Sequence, residues 1–166
     1  MKFVPEINFK TLNEKNKLVD QTYEELFVEK RVLVFSLPGA FTPTCTTKQL
    51  PMYDSRYDEI RDLGIDDIYC ISVNDPFVMK AWGEKVGVKN IQLIADGNGD
   101  FTNAMGMLVA KTNLSLGYRS WRYSMIVDDC VIETILEEPG KNGNCPEDPY
   151  EVSDPETVIS YLKQNV

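Results

Sequence analysis

Apolar residues fall in short clusters separated by turn-forming residues, and two clusters are almost unbroken: 31–37 (RVLVFSL) and 68–73 (IYCISV). Runs of that length without polar alternation fit strands buried on both faces. A shorter run at 7–12 predicts a first strand, and Asp20 or Thr22 is placed to cap a short helix reaching Phe27. PGAFTPT breaks the run at 31–37 and turns the chain. From about 45 to 63, Leu50, Tyr53, Tyr57, Ile60 and Leu63 recur near helical spacing, with Pro51 expected to kink the helix. Asn74-Asp75-Pro76 reads as a helix start carrying FVMKAWGEKV.

A further strand is expected at 91–95, ended by Asp96-Gly97-Asn98-Gly99, then a short helix at 101–107. Segments 121–127 and 131–137 flank Asp128-Asp129-Cys130, a hairpin signal. Residues 138–150, with three Pro and two Gly, read as a surface loop. A last helix is expected over 153–166, with Ser153 as its cap and Glu156 three residues on. No repeat, low-complexity tract or internal linker interrupts the series. The reading is one domain over 1–166, of α/β class, with a mixed central sheet and helices on both faces.

Charge narrows the function classes. Seventeen Lys and Arg against 26 Asp and Glu leave −9 over 166 residues. A binder of nucleic acid or of an anionic membrane needs the opposite sign, so neither partner is expected. The chain has no histidine. A Ser-His-Asp triad, a Cys-His pair and a His-ligated metal are thereby excluded, and neither a metal nor another cofactor is called for. The first ten residues hold Pro5 and Glu6 where a secretory signal needs an apolar run, and the longest apolar stretch is 32–35. A soluble, cytoplasmic protein is the expectation. Cys45, Cys70, Cys130 and Cys145 form no CxxC pair, which excludes a zinc ribbon and a CxxC dithiol.

The informative segment is 32–51, VLVFSLPGAFTPTCTTKQLP, in which a buried strand runs into a turn and Cys45 falls in the first turn of a helix. Unpaired N–H groups and the positive end of the helix dipole favour a thiolate there. The open end of such a turn is also where α/β sheets bind ligands. A partly buried structural cysteine fits the same position, and position alone leaves both readings open.

With its neighbours, this segment resembles a known family. PGAFTPTC contains PxxxTxxC, here Pro38, Thr42 and Cys45. SVND, FVMKAW, DGNGDFT and RSWRYSMIV follow in order, and together they look like the type II branch of the peroxiredoxins, the peroxiredoxin five subfamily. The resemblance spans about 5–162. It implies a thioredoxin-like fold and a thiol peroxidase acting on hydrogen peroxide, organic hydroperoxides and peroxynitrite. It assigns Cys45 as the peroxidatic cysteine, with Thr42, Pro38 and Arg122 as its companions. Without it, Arg122 reads as a solvated strand arginine or a carboxylate partner.

Acidity alone does not supply such a rate. Lowering a thiol from about 8.5 to about 6 raises its thiolate fraction at pH 7 about 30-fold. Lost nucleophilicity takes back roughly tenfold, by a Brønsted slope of about 0.4–0.5. The rest must come from alignment of the O–O bond and from stabilising the departing oxygen. Arg122, the Thr42 hydroxyl and nearby backbone N–H groups are the candidates, with Pro38 shielding the pocket.

The resemblance also bears on recycling. Cys70, 25 residues after Cys45, matches the second-cysteine position of plant type II members and is the resolving candidate. Its mid-strand setting equally fits inert filling. Otherwise glutathione or glutaredoxin, or thioredoxin, takes the oxidised sulfur directly. Cys145, exposed by the composition of its loop, is a lesser candidate, and Cys130 at a hairpin turn is expected to have no catalytic role. Gln49 stands where the family often has His. Family members associate as homodimers. Two other classes fit the chain. One is a redox sensor or holdase whose surface involves Phe77, Trp82 or Trp121, all three equally readable as core aromatics. The other is a thioredoxin-fold binding module with inert cysteines.

Overall fold

The two unbroken apolar runs become adjacent parallel strands in the middle of a five-stranded sheet. A computed structural model describes residues 1–165. In chain order, β1 (Phe9–Leu12) and β2 (Leu18–Gln21) form a hairpin, and α1 (Tyr23–Phe27) and β3 (Arg31–Ser36) follow. Next come α2 (Leu50–Ser55), α3 (Tyr57–Asp62), β4 (Asp67–Ser72), α4 (Pro76–Val86), β5 (Gln92–Ala95) and α5 (Asp100–Ala104). The short β6 (Leu108–Ala110) and β7 (Tyr118–Ser120) pair with each other, before β8 (Tyr123–Asp128), β9 (Val131–Glu137) and α6 (Pro155–Gln164). The sheet order is β5-β4-β3-β8-β9, parallel on the β4–β5 side of β3 and antiparallel on the β8–β9 side.

Alternation along β3 sorts the core into two layers. Val32 and Val34 face a layer with Phe27, Phe101 and Trp121, to which α1 and α5 contribute. Leu33 and Phe35 face the other, with Tyr53, Trp82, Val158 and Leu162 from α2, α4 and α6. Helices thus cover both faces of a mixed sheet, the thioredoxin-like arrangement. Cys45 and Cys70 both belong to the second layer.

Several expectations are corrected. The strand expected at 7–12 is a four-residue strand paired with β2, whose exposed residues carry no apolar pattern. Thr22, rather than Asp20, caps α1 and forms a full capping box with Glu25. The helix expected over 45–63 is a π-helical turn (Cys45–Gln49) followed by α2 and α3, broken at Arg56. Pro51 lacks an N–H and its ring crowds the carbonyl four residues back. The chain widens just ahead of it, and the Leu50 N–H donates to the Cys45 carbonyl, five residues earlier.

Asp154, rather than Ser153, caps α6, because Pro155 occupies the first helical turn. Val166 lies outside the described residues. Residues 138–150 are not all surface: Glu138 and Cys145 are buried, against the expectation of an exposed Cys145. Among the three aromatics considered for an interaction surface, Trp82 and Trp121 are buried in the core, and Phe77 alone is exposed.

Candidate active site

β3 delivers the chain to a loop whose shape is set by its own hydrogen bonds. Pro38 is buried beneath it. Thr42 Oγ1 donates to the Gly39 carbonyl at 2.7 Å, leaving its lone pairs free to accept. The Ala40 N–H donates to Asn74 Oδ1 at 2.9 Å, which ties the loop to the end of β4. Phe41 holds a left-handed φ of 64° and is exposed. A side chain this bulky rarely adopts that conformation, so the turn is strained. The Thr46 N–H then donates to the Thr42 carbonyl at 3.0 Å, and Thr46 Oγ1 accepts from Trp82 Nε1 at 3.0 Å.

Cys45 stands at the head of the π-helical turn with Arg122 beside it. Arg122 Nη1 lies 3.4 Å from Cys45 Sγ and also donates to Gln49 Oε1. Arg122 Nη2 donates to Asp148 Oδ1 at 2.7 Å, and the guanidinium sits 5.7 Å from the centre of the Tyr150 ring. Arg122 is only 2% exposed. Burial works against its charge, but Cys45 and Asp148 outweigh it and hold the guanidinium above its ordinary value. Two buried donors, Arg122 Nε and Gln49 Nε2, have no partner among the described residues.

One sequence expectation fails here. Cys45 was expected at the open end of the turn, and it is 0% exposed. The π-helical turn draws it down into the layer that holds Leu50, Tyr53 and Trp82. The expected neighbours are nevertheless assembled, with Pro38 and Thr42 on the entering loop and Arg122 against the sulfur. Cys70 lies mid-strand in β4 opposite Phe35, fully buried. Burial pushes its thiol well above the usual range, with the nearby Cys45 adding to the shift. Cys130 sits in the β8–β9 turn with φ 71°.

Four further residues join the site that sequence reasoning did not place there. Gln49 is named in the sequence only as a departure from the family, and here it holds the guanidinium. Asp148 and Tyr150 arrive from the loop after β9, 26 or more positions from Arg122, and no spacing rule points to them. Arg119 donates from Nη1 to the Pro38 carbonyl at 3.2 Å and from Nε to the Leu116 carbonyl at 3.0 Å. A Cβ on Gly39 would run into its Nη1 and push that arm off the Pro38 carbonyl. Arg119 and Arg122, three apart, would face opposite ways on one strand. The break between β7 and β8 lets Arg119 reach this loop while Arg122 reaches the turn at 45–49.

Comparison with known proteins agrees with the geometry. The Redoxin family model matches residues 1–159. Peroxiredoxin sll1621 of Synechocystis is 54% identical over 144 residues, covering 87% of this chain and 76% of that protein. Hybrid peroxiredoxin hyPrx5 of Haemophilus influenzae is 51% identical over 161 residues, covering 97% of this chain and 65% of that longer one. The crystal structure of the Plasmodium falciparum antioxidant protein, a 1-Cys peroxiredoxin, superposes with a TM-score of 0.93 at 39% identity, over 99% of this chain and 98% of that one.

A thioredoxin-like fold with a helix-start cysteine against a buried arginine defines a thiol-dependent peroxidase, and the chain belongs to the peroxiredoxins of the Redoxin family. Within that family it belongs to the five-type branch, by its likeness to peroxiredoxin-2B of Arabidopsis thaliana (37% identical, 82% of this chain and 85% of that one) and to the crystal structure of peroxiredoxin 5 from Alvinella pompejana (TM-score 0.79, 29% identity, 98% of this chain and 96% of that one), as well as to hyPrx5.

Proposed function

We propose that Cys45 is the peroxidatic nucleophile and that Arg122 serves the transition state more than it serves the thiolate. The observation that carries this reading is the buried Arg122 Nη1 at 3.4 Å from Cys45 Sγ. The thiolate attacks the terminal peroxide oxygen and the O–O bond breaks. The electron pair leaves on the alkoxide or hydroxide, which takes up a proton, and Cys45 becomes a sulfenic acid. Arg122 Nε and Gln49 Nε2 are the unspent donors available to the two oxygens. Thr42 Oγ1, its proton committed to Gly39, accepts from the peroxide O–H. Because the sulfur is fully covered, peroxide entry requires a local opening of 41–49, and the strained turn at Phe41 lowers the cost of it.

Recycling by an external thiol fits the geometry better than recycling by Cys70. An attacking sulfur must be a thiolate with access to its target. Cys70 is held neutral by burial, in the middle of a paired strand. The likeness to a 1-Cys peroxiredoxin points the same way. A first thiol displaces water from the sulfenic acid to give a mixed disulfide, and a second releases Cys45 as the thiol. Glutathione with glutaredoxin, or thioredoxin, supplies these thiols in a reducing cytoplasm. Association as a homodimer belongs to the same reading.

Mass spectrometry after one equivalent of peroxide tests both parts. A sulfenic acid confined to Cys45 is expected, with many equivalents consumed per chain once a thiol is supplied. A Cys45–Cys70 or Cys45–Cys145 bridge would overturn the external route. Consumption of a single equivalent would overturn the enzyme in favour of a sensor.

A further inference from the structure

Beside the catalytic loop lies a cavity of about 370 Å³ that the reaction as described leaves unused. Pro38, Phe41 and Thr42 form one wall, and Leu114 and Leu116 form another. Arg119 bridges the two walls by donating to the Pro38 and Leu116 carbonyls. Asn144 Oδ1 accepts from Thr112 Oγ1 and from the Asn113 N–H, both at 3.1 Å, which ties the following loop to the second wall. The Asn144 N–H donates to the Ala110 carbonyl at 2.8 Å. This is a built site with largely apolar walls, continuous with the residues that surround the peroxidatic sulfur.

Lys111 also lines this cavity and is only 3% exposed. Lysine is almost never this buried without an acidic partner, because an unpaired ammonium loses its hydration. Among the described residues no carboxylate lies within ion-pair distance of it, and its one charge-compensating contact is the face of Trp121, 5.5 Å from Nζ to the ring centre. Two acids share the lining. Asp148 spends its charge on Arg122, and Glu147 is exposed, 3.9 Å from Cys145 Sγ. Lys111 is therefore a buried cation in the lining of this space, without an acid of its own.

We propose that Lys111 is a specificity-determining residue that binds the carboxylate of an organic hydroperoxide, so that hydroperoxy acids are preferred over neutral hydroperoxides of the same shape. The hydrocarbon lies along Leu114, Leu116 and Phe41, and the peroxy group is directed past Thr42 toward Cys45. The proposal rests on the peroxidase reading of Cys45. The shared chemistry is a carboxylate on a short apolar chain, which a carboxylate-bearing thiol reductant also carries, and the test separates the two.

The measurement is kcat/KM for hydroperoxyhexanoic acid and for its methyl ester, which differ only in the charge that Lys111 would read. The wild type is expected to prefer the acid by about tenfold or more, the worth of one charge-assisted hydrogen bond. Lys111→Met brings the ratio to about one, and Lys111→Arg keeps most of it. A wild-type ratio near one, or a ratio that survives in Lys111→Met, overturns the proposal. If Lys111→Met does not fold, the wild-type ratio and the Arg variant still decide.

The second arm compares mercaptopropionate with mercaptoethanol as reductant at saturating hydrogen peroxide. Discrimination lost only in this arm assigns the carboxylate to the reductant and overturns the hydroperoxide assignment. Turnover of hydrogen peroxide by the wild type tests the peroxidase reading separately, so the two failures are distinguishable.

Discussion

Arg122 has four neighbours of four kinds: a thiol, an amide, a carboxylate and an aromatic face. A planar fork can meet them together, while an ammonium carries one point of charge and cannot hold the same directions. The unpartnered Nε would be a steady cost in a finished protein core, and it makes sense where a transient oxygen is to be received. Arg122→Lys keeps the charge and loses the fork. Its second-order rate with hydrogen peroxide is expected to fall about 100-fold or more, the usual scale for losing a preorganised donor. Stopped-flow rates divided by the thiolate content of each protein, read from its ultraviolet absorbance, check this. A loss that vanishes on that division would mean the arginine acts on the thiolate alone. Cys45 itself was legible from its motif, whereas its burial was not, because nothing in PGAFTPTC reveals how the next turn is wound.

At the scale of elements, what could be read depended on whether an element has a pattern of its own. β3, β4 and β8 each bury a continuous apolar run and are visible in the sequence, and the turn signal at 128–130 marks β9 as the hairpin partner of β8. β2 is almost wholly exposed, and β6 and β7 are three residues each, too short for any period to register. The π-helical turn depends on one proline in a sequence that otherwise spells an α-helix. Ion pairs across the sheet were invisible too. Arg31 at the start of β3 makes a two-pronged contact with Glu133 of β9 at 2.8 and 2.9 Å, spanning β8 between them. The Arg31 guanidinium holds the Glu133 carboxyl below its usual value. A lowered native value means that the unfolded chain takes up the proton first, so this stability is present above about pH 4.5 and is lost as pH falls through the native value. Glu133→Gln is expected to cost about 1 kcal/mol at pH 7, since the pair is part-exposed. The difference from wild type in urea unfolding should shrink toward zero at lower pH. A difference that stays constant with pH would show that packing is responsible.

For the whole molecule, the question is how residues far apart in the chain are held on one site. The loop at 38–42 and the turn at 45–49 follow β3, Arg122 enters from β8, and Asp148 and Tyr150 come from the stretch between β9 and α6. That last stretch contains little apolar surface to hold it down. Its anchor is Glu138, a fully buried carboxylate that accepts from the Glu151, Val152 and Ser153 N–H groups and from Ser153 Oγ, at 2.6 to 3.0 Å. The one-residue shift of the α6 cap to Asp154 leaves Ser153 free for this role. Four donors converging on one charge close the loop and set where Asp148 and Tyr150 meet Arg122. Glu138→Gln replaces one acceptor oxygen with an NH₂ aimed at N–H donors, so at least one bond becomes a repulsion. A loss of about 2 kcal/mol is expected, lowering Tm by roughly 4–8 °C for a chain of this size. Because the anchor acts on Arg122 only through the loop, the peroxidase rate should fall much less than in Arg122→Lys. Exchange of the 147–153 amides should quicken while that of the β3 and β4 amides stays slow. Uniformly faster exchange would show that Glu138 supports the fold at large and not the approach of this loop to the arginine.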